Sequence, residues 1–142
     1  MKKILFFIVI NLFTSSSYAN LKILSCREAS ERYKAVAVYY DKLFQEFASI
    51  RESEKRNSFG KRIIRIHEDF KDQEYKKLYE FSKTLTDEKG LSINDAETWR
   101  MFMESSIDNA YVIAGENLKT ENLGRNENYY SRRIYDLCMG FK

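Results

Sequence analysis

The sequence predicts an all-α fold, a small bundle of four to five helices closed by one disulfide. The chain of 142 residues contains no proline and only five glycines. Because these residues interrupt helices, their scarcity favours long helices. Apolar residues recur at steps of three and four along several stretches, which is the spacing of one helix face. Two cysteines, Cys26 and Cys138, lie near the two ends of the domain and can tie its first helix to its last.

The N-terminus has the three-part layout of a cleavable secretory signal, predicted for residues 1–19. Lys2 and Lys3 form a basic start, an apolar run follows over residues 4–13, and Ser17 and Ala19 place small residues where signal peptidase reads. The run is about half of the ~20 residues that span a bilayer, so a retained anchor is the weaker alternative. We therefore expect a bacterial protein of the periplasm or the exterior. Residues 20–142 form its single helical domain, with no stable membrane insertion after cleavage.

The charge balance of the exported domain is close to neutral. The formal net charge of the whole chain is +3, and removing Lys2 and Lys3 with the signal leaves +1. A nucleic-acid-binding domain needs a basic footprint, so we expect no nucleic-acid partner. Charged residues make up 32% of the chain and are mixed in sign, which is typical of solvated helix faces.

The two cysteines are predicted to form a disulfide, because an exported protein meets oxidising conditions. Two free buried thiols, or one link between two molecules, are the alternatives. Two distant cysteines and a single histidine do not have the spacing of a zinc site, so we expect no metal.

The first helix is predicted over residues 26–56. Ser25 and Glu28 match the S-x-x-E capping box that satisfies free amides at a helix start. The apolar residues that follow have helical spacing: Ala29, Tyr33, Val36, Tyr40, Leu43, Phe47 and Ile50.

The middle of the chain has two apolar faces that differ in phase. Ile63, Ile66 and Phe70 mark the first face, and Tyr75 and Leu78 begin the second. Either one helix bends near residues 70–73 or two helices meet there.

The sequence of the C-terminal half predicts two further helices, joined by a loop. The first begins at Asn94, carries Trp99 on its inner face and ends at Gly115, where a C′ glycine would stop it. Residues 115–128 are the most polar stretch and are predicted to be a surface loop. The final helix runs from about Asn128 to Met139. Its inward residues are Tyr130, Ile134, Leu137 and Cys138.

No pattern in the sequence supports catalysis. His67 is the only histidine, and it lacks the second histidine of H-E-x-x-H, so we interpret it as a solvated helix residue. The sequence contains no nucleophile elbow, glycine-rich dinucleotide loop or P-loop. We therefore expect no enzyme activity and no cofactor. A lytic enzyme whose acids have no recognisable spacing is the weaker alternative.

The ending Cys138-Met139-Gly140-Phe141 resembles the C-x-G-[YF] signature of periplasmic immunity proteins of type VI secretion systems, the Rap/Tai group. Those proteins also combine a signal peptide with a small helical domain and a disulfide. The resemblance implies a periplasmic antitoxin, often a homodimer, that binds an incoming cell-wall-degrading effector and blocks its active cleft. The 115–128 loop is the candidate contact. Its candidate partner-binding residues are Glu116, Asn117, Lys119, Glu121, Asn122 and Arg125.

Two other interpretations stay open at this point. The 115–128 stretch also fits an ordinary solvated connection, because loops are polar by default. The protein also fits a periplasmic chaperone or adaptor, or a secreted helical factor without an inhibitory role. An apolar groove on its surface would favour the chaperone.

Overall fold

A computed structural model describes residues 18–141. Over these residues the chain forms four helices and no strand: α1 (Tyr18–Ser49), α2 (Ser53–Asp87), α3 (Ile93–Lys119) and α4 (Glu127–Met139). The predicted all-α fold is therefore confirmed. The export signal lies outside the described residues, except for Tyr18 and Ala19, which begin α1. Among the described helices, none is both long and apolar enough to cross a bilayer.

The bundle is organised around α1 and α3. These two helices share the largest contact; α4 packs on both, and α2 packs mainly on α3. α1 and α2 touch each other far less than either touches α3. Large aromatic side chains fill the core: Trp99, Tyr33, Tyr40 and Tyr130 are all fully buried. The inward position predicted for Trp99 is therefore confirmed, and the sparse α1–α2 contact leaves a groove between these helices.

The predicted disulfide joins Cys26 of α1 to Cys138 of α4, with Cα atoms 5.5 Å apart. Cys26 is fully buried, and Phe102 of α3 packs beside the bridge. Both cysteines of the chain are used, so the bridge connects the first and last helices across the whole domain.

The first helix begins earlier than the capping box predicts. Ser25 lies inside α1, buried, and its hydroxyl oxygen has no hydrogen-bond partner. Glu28 accepts a hydrogen bond from Trp99 Nε1 at 3.0 Å instead of closing a capping box. The helix extends upstream because Leu21 is buried in the core and the Tyr18 ring lies 6.2 Å from the Phe102 ring.

The first helix also ends earlier than predicted. The prediction of residues 26–56 ran through a turn at residues 50–52, where Glu52 has an extended backbone (φ −75°, ψ 121°). No glycine or proline lies in this turn, so no helix-breaking residue indicates it. The chain reverses here because the apolar face of α2 can be covered only by returning along the bundle.

α2 is one continuous helix, which decides between the two alternatives for the middle of the chain. Its buried positions are Ile63, His67, Glu74, Leu78, Ser82 and Leu85. These positions form one unbroken helical face once His67 and Glu74 are included. The change of phase seen in the sequence concerned apolar residues alone. It disappears once His67 and Glu74, polar residues on the buried face, are counted.

The last two helices differ from the prediction mainly at the end of α3. α3 begins one residue before Asn94, with Ser92 as its cap, and continues through Gly115 to Lys119. The predicted loop of residues 115–128 is therefore shortened to 120–126. α4 covers the predicted range, and Tyr130, Ile134 and Cys138 are buried as predicted, while Leu137 is half-buried.

Candidate binding surface

The loop of residues 120–126 begins with a Schellman-type helix end. The amide of Glu121 donates to the carbonyl of Leu118 at 3.3 Å, and the amide of Asn122 donates to the carbonyl of Asn117 at 2.7 Å. This geometry requires a left-handed residue, and Glu121 adopts it with φ 57°. Among the described residues, Glu121 is the only one other than glycine with positive φ. The loop therefore starts with a fixed and strained backbone.

A buried carboxylate of α1 holds the other end of the loop. Asp41 is 1% exposed and accepts hydrogen bonds from the amides of Gly124 (2.8 Å) and Arg125 (3.1 Å). It also accepts from the Tyr130 hydroxyl at 2.6 Å. Burial alone raises the pKa of Asp41, but the hydrogen bonds from Tyr130, Gly124, Gln45 and Arg125 outweigh it and hold the pKa below its ordinary value. The charged form of Asp41 thus fixes the loop to α1.

Two tyrosines of α4 complete the support. Asn117 donates to the Tyr130 hydroxyl and accepts from the Tyr129 hydroxyl, both at 3.2 Å. The guanidinium of Arg125 lies 4.3 Å from the Tyr129 ring centroid, a cation–π contact. The helix end, the Asp41 carboxylate and the aromatic rings thus hold the loop at both of its ends.

The six candidate contact residues fall into two groups. Asn117 is buried at the end of α3, so its expected position on the surface is wrong and its side chain positions the loop instead. The structure places the other five in exposed positions around the same loop: Glu116, Lys119, Glu121, Asn122 and Arg125. The sequence analysis did not identify Asp41. The one feature that indicates its burial is its position four residues, about one helical turn, after the core residue Ala37.

The α1–α2 hairpin ends beside this loop. We define the hairpin tip as residues 42–65, which comprise the end of α1, the turn at residues 50–52 and the first turns of α2. Between Phe44 and Ile63 no described residue is buried. From Asp41, which anchors the loop, α1 runs on to Ser49, about 12 Å at a rise of ~1.5 Å per residue. The tip therefore projects from the same end of the bundle that carries the loop.

An apolar groove of about 320 Å³ lies between α1 and α2. Its lining residues are Ala35, Val36, Tyr39, Tyr40, Ile66 and Phe70. Tyr39 is 49% exposed, so the groove is open to solvent along the α1 side. A groove of this kind can accept an apolar side chain or a short apolar segment of another molecule.

His67 belongs to a buried network, so its interpretation as a solvated residue is wrong. His67 Nε2 lies 3.1 Å from Asp108 Oδ1, and Nδ1 lies 2.9 Å from the Tyr40 hydroxyl. Because the carboxylate only accepts, we assign the proton to Nε2, and Nδ1 then accepts from Tyr40. Burial lowers the pKa of His67 below its ordinary value, against the opposing effect of Asp108. The Tyr111 ring stacks on the imidazole at 4.2 Å.

This network has the order carboxylate, imidazole, hydroxyl, but its hydroxyl cannot reach a substrate. Tyr40 is 0% exposed, and burial raises the pKa of its hydroxyl. A nucleophile needs access to the reacting atom and a base that activates it. The arrangement can tie α1, α2 and α3 together. Over residues 18–141, no group of three or more His, Cys, Asp or Glu side chains is placed to hold a metal ion.

The fold and the surface define a disulfide-linked helical bundle that presents a fixed polar loop beside a projecting hairpin. Neither a family model, nor a curated protein, nor a solved structure matches the chain.

Proposed function

We propose that this protein is an exported inhibitor of a cell-wall-degrading enzyme, an immunity protein of the bacterial periplasm. The fixed loop of residues 120–126 supports this proposal. An inhibitor must keep its contact surface ordered, because each side chain or loop that orders only on binding lowers the affinity. The disulfide and the predicted signal of residues 1–19 support an oxidising compartment outside the cytoplasm.

The single observation that carries the proposal is the left-handed backbone of Glu121. A non-glycine residue in this conformation costs about 1 kcal/mol, and glycine adopts it without that cost. At the end of α4 the molecule uses glycine in the corresponding position, Gly140 with φ 88°. Strained residues of this kind gather at ligand-binding sites when the surrounding structure fixes them. We infer that the Glu121 side chain contacts the partner.

The experiment is a challenge of cells with the hydrolase or toxin gene next to the gene for this protein. Cells that export the wild-type protein are expected to survive when that enzyme is directed to the periplasm. A triple variant, Glu121→Ala, Asn122→Ala and Arg125→Ala, is expected to protect poorly. The control is Asp87→Ala with Glu88→Ala, two exposed positions at the C-terminal end of α2. Survival with wild type no better than with empty vector would contradict the proposal.

The apolar groove favours a second candidate function, a periplasmic chaperone or adaptor. Tyr39 lines the groove and is 49% exposed, so Tyr39→Glu places a charge there with little loss of core packing. A chaperone is expected to slow the aggregation of an unfolded client, and the variant is expected to lose that effect. Ile64→Glu is the matched control, since Ile64 is 48% exposed and lies outside the groove. Equal aggregation with and without wild-type protein rules this candidate out.

A further inference from the structure

Positive charge is concentrated on the hairpin tip. Residues 42–65 contain seven Lys and Arg and three acids, Glu46, Glu52 and Glu54, an excess of four positive charges. The described chain, residues 18–141, contains 21 basic and 21 acidic residues and is neutral overall. Outside the tip the described residues include 14 basic and 18 acidic ones, but Glu28, Asp41 and Glu74 are buried, so the remaining surface is close to neutral. A near-neutral protein therefore carries its excess of positive charge on the projecting end.

Most basic residues of the described tip have no acidic partner within the molecule. Elsewhere the ion pairs include Arg32–Glu74 at 3.3 Å and Lys71–Asp108 at 3.3 Å. On the described tip, Lys55 alone has an acidic partner, Glu52 at 2.9 Å. Within residues 18–141, the other six basic side chains of the tip form no ion pair: Lys42, Arg51, Arg56, Lys61, Arg62 and Arg65.

Two of these arginines line a shallow depression at the tip. Its volume is about 660 Å³, and it is lined by apolar Ile50 and Phe59, by Ser58, by three basic side chains and by two acidic ones, Glu52 and Glu54. Lys55 pairs with Glu52, so Arg62 and Arg65 leave the depression with an excess of positive charge. The Arg62 guanidinium lies 6.0 Å from the Phe59 ring centroid. Guanidinium groups bind carboxylates in a bidentate geometry that a lysine cannot provide. The depression has the chemistry to receive carboxylate side chains of another protein.

We propose that the hairpin tip docks into the carboxylate-lined cleft of a glycan-cleaving enzyme. The inference rests on the proposed inhibitor function and specifies its partner. Hydrolysis of a glycosidic bond uses two carboxyl groups that flank the bond, so such a cleft is acidic at its centre. A cleft of one charge sign focuses its field and attracts the opposite charge. The tip projects beside the fixed loop, so the loop can contact the rim while the tip enters the cleft.

An anionic membrane surface is the other large acidic partner, and the tip fits it less well. Membrane-binding helices present a row of large apolar side chains below a basic face. Ile64, at 48%, is the one large apolar residue of the tip that is strongly exposed. The observations therefore favour a protein cleft.

The test is a binding measurement with a catalytically inactive form of the hydrolase encoded beside this gene. The tip variant is Arg62→Glu with Arg65→Glu. The matched control is Lys76→Glu with Arg132→Glu, which makes the same charge change at exposed positions outside the tip. The tip variant is expected to raise Kd by about 100-fold or more, since like charges then face each other in the cleft. The control is expected to change Kd less than about threefold. Circular dichroism and thermal unfolding verify that both variants fold.

Two further measurements decide between the outcomes. An enzyme variant with both catalytic carboxylates changed to amides is expected to bind wild-type protein at least about tenfold more weakly. If wild-type protein does not bind the enzyme at all, the proposed inhibitor function is wrong and this inference falls with it. If wild-type and tip variant bind equally, or the carboxylate changes have no effect, the inhibitor function stands and the tip inference is wrong. Tip-dependent binding to phosphatidylglycerol vesicles, with unchanged enzyme binding, would assign the tip to a membrane instead.

Discussion

Glu28 is a carboxyl group in the core, 6% exposed and hydrogen-bonded to the indole of Trp99. Burial raises the pKa of Glu28 from 4.5 to about 7, and the Trp99 hydrogen bond and nearby Arg32 offset only part of that effect. The folded protein therefore binds this proton more tightly than the unfolded chain. Its contribution to stability is complete below pH 4.5 and is lost as the pH rises to about 7.

The variant Glu28→Gln is expected to remove this loss. A glutamine side-chain oxygen can still accept from Trp99, and it does not become charged. At about 1.4 kcal/mol for each tenfold change in proton affinity, the variant should be more stable than wild type by about 1–3 kcal/mol at pH 8. Urea unfolding at pH 5 and pH 8 measures this, with exposed Glu97→Gln as the control. If wild type and Glu28→Gln show the same change between the two pH values, the assignment is wrong.

Replacing Glu121 by glycine tests whether its left-handed backbone is strained. Glu121→Gly is expected to stabilise the fold by about 0.5–1 kcal/mol, because glycine adopts φ 57° without a Cβ clash. Asn122→Gly is the control. The backbone of Asn122 is not left-handed, so glycine relieves no strain there. Glycine increases the conformational entropy of the unfolded chain, so this variant should be less stable than wild type. Thermal unfolding of the two variants gives the comparison. A destabilised Glu121→Gly would show that Glu121 is not strained, and its backbone would then give no reason to place it in contact with a partner.

The residues that sequence reasoning missed share one property: they are polar and occupy core positions. His67 follows Ile63 by four residues, and Glu74 precedes Leu78 by four, so both lie on the buried face of α2. Counting apolar residues alone leaves these positions empty and creates a false change of phase. Each polar group is stabilised by a partner from another helix, such as Tyr33, whose hydroxyl donates to Glu74 at 3.1 Å. Such partners are distant in sequence, so periodicity cannot reveal them.

At the scale of elements, helix type could be predicted and helix ends could not. The end of α3 shows the physical reason. Gly115 has the residue type of a C′ position, but α3 continues because Asn117 is buried against Tyr130 and the core face extends to it. Tertiary contacts therefore override the local stop signal. The loop of residues 120–126 was predicted in position, while its anchor on α1 was not, because Asp41 lies 83 residues before Gly124.

The anchoring of the loop predicts the effect of changing Asp41. In Asp41→Asn only one acceptor oxygen remains, so the amide nitrogen must face donors such as the Arg125 amide or the Tyr130 hydroxyl. Losing charge-assisted hydrogen bonds at a buried site should cost about 2–3 kcal/mol. Hydrogen exchange at the amides of Gly124 and Arg125 should become faster, while exchange in the middle of α3 changes only with global stability.

The control for this variant is Asp69→Asn at an exposed position of α2. This variant should change neither the rate of hydrogen exchange at the amides of Gly124 and Arg125 nor the unfolding midpoint. If Asp41→Asn leaves exchange at Gly124 and Arg125 unchanged, Asp41 does not hold the loop, and the rigid-loop argument for inhibition loses its support.

At the scale of the whole molecule, the disulfide and the central α1–α3 pair determine how α1 and α4 meet. The pairing of Cys26 with Cys138 could be predicted because only two cysteines exist, whereas its position within α1 could not. Cys26 lies two turns inside the helix, since residues 18–25 extend α1 and bury Leu21. The same extension places the predicted cleavage point after Ala19 within the first turn of α1.

Removal of the disulfide is the last prediction, and it tests how the domain is held together. The bridge joins residues 112 positions apart, so in the chain-entropy model it greatly restricts the unfolded chain, and its loss should cost about 2–5 kcal/mol. The double variant Cys26→Ala with Cys138→Ala should still fold, because Trp99, Tyr33 and Tyr40 form their core without it. Denaturant unfolding of wild type, with and without reductant, and of the double variant measures the effect. Reduced wild type and the double variant should unfold at similar denaturant concentrations, both below the oxidised protein. Equal midpoints for the oxidised protein and the double variant would show that helix packing alone determines stability, and that the bridge adds nothing to it.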